Sequence, residues 1–363
     1  MALSCCSAFR SRPITPLSFP SPRRNPSPRR RTLHLHSHPP PPITSPSLHD
    51  GFTWDDVVRL PPTPPDLRGF FEKVAICNRD YGKLKSEFIP FAVDGHVVGH
   101  IHREFAGKYL RPHKDVFTFP EKERLELHPD LATLDRRTEA IGHVINRLCE
   151  EEEDLIPGIR NEMYPVKSSF GSPETFFLLE RAAAPYFGIK AYGVHMNGYV
   201  EGVNKDMKKH LWIGKRSRSK STYPGRLDHL VAGGLPDGLS CDENIVKECE
   251  EEAGIPRSIS SRAKPVGAVS YVDIDGYRLK RDVLFCYDLK VPEGFVPVNE
   301  DGEVESFRMV EVERVADIVR TTDFFKDNCN LVIIDFLFRH GYIRPEEPGY
   351  LDLLRSLRNG DCT

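Results

Sequence analysis

Residues 233–255 read Gly-Gly-Leu-Pro-Asp-Gly-Leu-Ser-Cys-Asp-Glu-Asn-Ile-Val-Lys-Glu-Cys-Glu-Glu-Glu-Ala-Gly-Ile. Ser240 and Glu243 have capping-box spacing, so a helix is predicted from about Asp242 to Ala253, and Gly254 supplies its left-handed stop. Helical periodicity gathers Ile245, Val246, Cys249 and Ala253 on one face and sets Glu248, Glu251 and Glu252 in a neighbouring arc. Three adjacent carboxylates repel by a few tenths of a kcal/mol per pair. A cation offsets that repulsion, and Mg2+ and Mn2+ suit carboxylate oxygens and also bind substrate phosphates, which points to phosphoryl chemistry on a diphosphate. A solvated acidic face would carry the same triplet. The glycines favour the ion: Gly233-Gly234 would let a backbone carbonyl approach it, and Gly238 permits a tight loop before the helix.

Outward from this stretch, short apolar runs alternate with turn signals. Asn197-Gly198 reads as a type I′ turn after the run Ala191 to His195, and Asp275-Gly276 separates Val266 to Ile274 from Arg281 to Leu289. Leu211-Trp212-Ile213, Leu227 to Ala232 and Ser306 to Val310 read as strands, and Asn328 to Phe338 as an apolar helix. Upstream, Pro61-Pro62-Thr63-Pro64-Pro65 punctuates the chain, followed by an aromatic run from Phe88 to His100, a charged helix from Thr138 to Glu153, and Ala182-Ala183-Ala184-Pro185. The expected organisation is an N-terminal α+β domain over 51–187, a second domain over 188–345 and a tail over 346–363.

Composition narrows the classes. The chain has 363 residues, 39% hydrophobic and 28% charged, with formal net charge −3, which suits about two globular domains. No apolar run reaches the roughly 18 residues of a membrane span. The nine cysteines are odd in number and form no Cys-x-x-Cys pair, against a disulfide framework or zinc ribbon and for a reducing compartment. Residues 1–49 carry seven arginines, nine serines, eleven prolines and no acid, the signature of a transit peptide, with chloroplast favoured over mitochondrion. A basic tail binding nucleic acid or membrane is the plainer alternative. Without that segment the chain is −10, leaving no basic stripe for nucleic acid, and no membrane partner is expected.

The 233–255 stretch resembles the Nudix box, G-x5-E-x7-R-E-U-x-E-E-x-G-U with U aliphatic. Gly233, Glu248, Glu251, Glu252, Gly254 and Ile255 match in register, Leu239 replaces the leading glutamate, Lys247 the arginine, and Cys249 fills the aliphatic slot. The resemblance covers about residues 188–340 and implies an α+β fold, a Nudix α/β/α sandwich with a mixed sheet. The wider chain, with Thr222-Tyr223-Pro224-Gly225 before the box, looks like the plant and fungal Nudix hydrolases with an extra N-terminal domain, related to the Nudix portion fused to thiamin pyrophosphokinase. That likeness implies a thiamin-diphosphate-like substrate, oxythiamin or oxothiamin diphosphate cleaved to monophosphate and phosphate, in the chloroplast stroma; a nucleoside diphosphate derivative is the broader expectation.

On this reading Glu248, Glu251 and Glu252, with the carbonyl of Gly233, hold one to three Mg2+ or Mn2+ ions against the diphosphate, and water attacks phosphorus. Glu303 or Glu305 is the candidate general base, and Lys215, Arg216, Arg218 and Lys220, with Tyr223, are candidates to bind the substrate. For each, a solvated loop or hairpin is the plainer role. Trp212, Tyr223 and Phe187 could stack on a heterocycle or fill the core; His195 and His229 read as structural, and Cys249 as packing. Two other functions share the fold: a binding or regulatory module that has lost turnover, motivated by Leu239 and Lys247, and an isopentenyl-diphosphate-isomerase-like enzyme, whose facing cysteine and glutamate are not assignable here. A homodimer is left open.

Overall fold

A computed structural model describes residues 51–61, 66–120, 123–152, 154–202 and 208–360; the leader read into residues 1–49 lies outside them. The described residues belong to one unit, Pro46–Thr363. After helices Trp54–Arg59 and Arg68–Cys77 come β1 (Phe88–Val93) and β2 (His96–His102), joined at Asp94-Gly95, where both residues take positive φ. With β3 (Phe117–Thr118) and β4 (Leu125–Leu127) they form a four-stranded sheet, order β2-β1-β4-β3. Helix Leu134–Glu151 lays Ile141, Val144, Ile145 and Leu148 into the same core, at the helical spacing of its apolar residues. A separate hairpin, β5 (Met163–Val166) and β6 (Phe177–Glu180), closes this region.

The second sheet comprises β7 (Lys190–Glu201), β8 (Lys209–Arg216), β9 (Leu227–Asp228), β10 (Val231–Gly234), β11 (Lys264–Asp275), β12 (Arg278–Lys290) and β13 (Val304–Glu311). Its order is β11-β12-β7-β8-β13, with β10 on β7 and β9 on β8. The β7/β12 pair is parallel and the others antiparallel, so the sheet is mixed. Because strand side chains alternate, Val194, Met196, Trp212, Tyr287 and Leu289 face helix Cys241–Ala253 on one side. Leu211, Ile213, Leu284 and Cys286 face helices Arg68–Cys77, Val312–Thr321 and Asp327–Arg339 on the other. The result is the expected α/β/α sandwich, and each wholly buried Leu or Phe adds about 1.5–3 kcal/mol.

Three elements differ from the sequence reading. Residues 54–77, grouped there with the first domain, pack Trp54, Val57, Phe70 and Val74 into the core of the second sheet. The segment read as a tail contains helix Tyr350–Ser356 and buries Leu353 and Leu357 in that core. Asn197-Gly198 is no turn: β7 runs straight through it. A Cβ on Gly198 would stand 2.1 Å from Leu230 Cδ2, so the glycine there permits close packing, not a reversal. Asp275-Gly276 does turn the chain, with Gly276 at φ 57°.

Candidate active site

Helix Cys241–Ala253 is set at both ends as its sequence predicts. Ser240 Oγ accepts the Glu243 N–H, Glu243 Oε2 accepts the Ser240 N–H, and Gly254 at φ 58° donates back to the carbonyls of Cys249 and Glu250. Asn244 Nδ2 donates to the Gly234 carbonyl at 2.8 Å, tying the helix to the end of β10. Two carboxylates then close on that strand. Glu252 Oε2 accepts the Ala232 N–H at 2.9 Å. Glu248 packs so tightly that a Cβ on Gly233 would lie 2.2 Å from its Cδ. Glu251 turns outward to Lys247 at 2.5 Å, and Lys247 also lies 3.7 Å from Glu248.

The Gly233 carbonyl oxygen lies on the β7 side, 3.0 Å from where a Cβ on Gly193 would stand. Gly233 pairs with Val194 of β7, and its missing side chain leaves room for Glu248.

Burial pushes Glu252 well above the usual carboxylate range, and the charges of Glu248, Asp228 and Glu303 add to it against a single opposing N–H. Burial also raises Glu248, with Glu251 and Glu162 adding and Lys247 and Arg181 opposing. This is an all-oxygen, electron-rich cluster short of positive charge, a donor set that fits a hard divalent cation.

Of the other anticipated residues, Glu303 lines a small pocket with Glu252, Arg216 and Asp228, and is ion-paired to Lys220. Glu305 is tied to Lys215 at 3.1 Å. Arg216 is spent on structure, donating to Asp228 at 2.7 Å and to the carbonyls of Tyr223 and Thr222. Tyr223 donates its hydroxyl to Asp327 at 2.8 Å, while Arg218 is 71% exposed. Trp212 and Phe187 are buried in separate cores, which removes them as stacking surfaces. Cys249 is wholly buried beside Met196, and burial holds His195 and His229 neutral, with His229 pulled down to about 4.

Beneath the cluster, Asp228, His229 and Cys329 bring ligand-type atoms within 4.8 Å of one another. Arg216 at 2.7 Å and Lys326 at 3.8 Å already balance that carboxylate, and Cys329 Sγ donates to it at 2.7 Å. Burial would raise Asp228, yet Lys326 and Arg216 hold it well below the usual range.

Sequence reasoning missed residues that arrive from the β5/β6 hairpin. A Cβ on Gly234 would meet Tyr164 Oη at 2.2 Å, Glu162 Oε1 at 3.1 Å and Arg181 Cζ at 3.2 Å. Phe170, from the same hairpin's loop and 44% exposed, packs 4.8 Å from Tyr192 and 4.7 Å from Phe285. The Tyr192 carbonyl accepts the Leu235 N–H at 2.9 Å, so this aromatic group borders the loop before the helix. No local pattern announces contacts between segments so far apart in the chain.

The sandwich, with its glycine loop and carboxylate-bearing helix, defines the class of metal-dependent Nudix-fold proteins. The NUDIX domain family matches residues 200–327, and a domain of unknown function, DUF4743, matches residues 69–191. The chain is 58% identical to Nudix hydrolase 20, chloroplastic, of Arabidopsis thaliana, over 90% of this chain and 88% of that protein. It is also 58% identical to Nudix hydrolase 24, chloroplastic, of the same plant, over 87% and 86%. An uncharacterized protein of Saccharomyces cerevisiae is 37% identical over 65% of this chain and 72% of its own length. The chain belongs to the Nudix hydrolases, enzymes that hydrolyse diphosphate-containing substrates and generally use divalent metal ions.

Proposed function

We propose that this enzyme hydrolyses a small organic diphosphate of the thiamin-diphosphate type, releasing phosphate and a monophosphate, with Mg2+ or Mn2+, in the chloroplast stroma. The observation that carries the reading is the closure of Glu248 and Glu252 on β10, where Gly233 has no side chain to keep them away. These two glutamates would hold the ion, with Glu251 joining when it leaves Lys247. Bound metal supplies charge neutralisation at the diphosphate oxygens and acidifies the attacking water. Glu303, which lines the same pocket as Glu252, would take that water's proton once freed from Lys220; Glu305, paired with Lys215, does not line that pocket. Exposed Phe170, packed on half-buried Tyr192 and Phe285, offers a surface for the heterocycle. The thiamin-type substrate rests on likeness to plant and fungal Nudix hydrolases with an extra N-terminal domain, and the chloroplast on the leader's composition and the relatives' names.

The test is phosphate release by the mature chain with Mg2+ or Mn2+ across thiamin, oxythiamin and oxothiamin diphosphates, ADP-ribose, NADH and nucleoside diphosphates. Preference for the thiamin-type compounds, lost in Glu252→Gln, is the expected result. Preference for a nucleotide overturns the substrate; equal activity in Glu252→Gln overturns the site.

A further inference from the structure

We propose that Arg181, carried to the loop between β10 and helix Cys241–Ala253 by the β5/β6 hairpin of the N-terminal region, binds the substrate's diphosphate, so that the domain of unknown function completes the active site. This rests on the diphosphate-hydrolase reading above. Arg181 follows β6 directly, where Glu180 accepts the Ala182 N–H at 3.1 Å and the Arg181 N–H donates to the Glu162 carbonyl at 2.9 Å. Its guanidinium donates to Glu162 Oε2 at 2.7 Å and lies 5.7 Å from the Tyr164 ring centroid. The loop is bonded to the same hairpin, with Asp237 N–H donating to the Met163 carbonyl at 3.1 Å.

This places the guanidinium against Gly234, one residue from the glycine on which Glu248 packs. Among the described residues its side chain donates one hydrogen bond, to Glu162, and a third of it is exposed. A guanidinium carries five N–H donors in a planar fork, the geometry that engages phosphate oxygens in pairs. Its charge already acts on Glu248. A fixed cation beside carboxylates that bind a divalent ion weakens that ion's binding, unless an anion sits between them. A diphosphate is such an anion, touching metal on one side and the guanidinium on the other. Glu162 then orients Arg181 and competes for it.

Inorganic diphosphate in the presence of Ca2+ is the probe, titrated calorimetrically into the mature full chain. Arg181→Gln is expected to weaken its affinity about 10- to 100-fold. Glu162→Gln, which frees the guanidinium and removes a negative charge, is expected to hold or tighten it. A change within twofold in Arg181→Gln overturns the proposal. So does a parallel loss of affinity and melting temperature in both variants, the mark of a structural strut. Phosphate release by the wild type, measured alongside, separates the two readings. A silent wild type whose diphosphate binding still depends on Arg181 sinks the hydrolase reading and supports the arginine; an active wild type with unchanged Arg181→Gln binding sinks the arginine alone.

Discussion

Two carboxylate centres lie close together in this protein, one buried and one half-buried, and they differ most in charge balance. Asp228 sits between Arg216 and Lys326, accepts a thiol from Cys329, and stays ionised despite its burial. Glu248 and Glu252, set against β10, face each other's charge, with Lys247, Arg181 and one backbone N–H opposing it. The first centre is balanced by the chain's own cations; on the function proposed above, a divalent ion would complete the second. A count of acidic side chains would not separate them, whereas the cations around each one do.

The contrast breaks most sharply if isosteric amides are placed in both. Glu252→Gln should lower turnover on the order of a thousandfold, the several kcal/mol that metal-assisted charge neutralisation supplies. Its melting temperature should hold or rise, because a carboxyl that the site disfavours in its charged form is removed. Asp228→Asn should do the reverse, costing about 3–5 kcal/mol of stability by leaving Arg216 and Lys326 facing a neutral partner. Phosphate release and thermal melts on the two variants give the answer, and matching stability losses would erase the distinction. A somewhat smaller effect locates the ion. Mn2+ at a hundred times its dissociation constant should stabilise the chelator-stripped protein by about 2.7 kcal/mol. That gain should vanish in Glu248→Gln. Its survival there would put the metal elsewhere.

How much of this could be read from the sequence depended on how local the signal was. The caps of helix Cys241–Ala253 and the turn at Asp275-Gly276 use residues within a few positions of one another, and both were legible. The register of the three glutamates likewise follows from helical spacing. Asn197-Gly198 misled because a glycine needed for close packing and one needed for a turn look identical until the neighbour, here Leu230, is known. Arg216 and Arg218 looked alike in one basic run, yet the first is locked onto Asp228 and the second faces solvent, because β8 ends at Arg216, beside β9, and Arg218 lies in the turn beyond it. Residues 54–77 and 350–357 join the second core through contacts spanning most of the chain, and Arg181 reaches the site the same way. Periodicity places residues on a face of their own element and is silent on which distant element covers it.

The smallest expected effect concerns acid. His229, next to Asp228 and wholly enclosed, is lowered by burial to about 4, with Asp228 opposing the shift and Lys326 assisting it. In the unfolded chain a histidine titrates near about 6.5. Between those values the unfolded state binds the extra proton, so stability rises with pH across that window and is lost as pH falls from about 6.5 toward 4. Down to pH 5 the loss assignable to this ring is about 2 kcal/mol. His229→Gln should remove that slope while leaving any contribution from His195, whose burial shifts it the same way. Denaturant melts of wild type and variant at pH 7, 6 and 5 test it: parallel pH profiles would mean that His229 is reached by water and that the charge-balanced centre is less closed than its burial indicates.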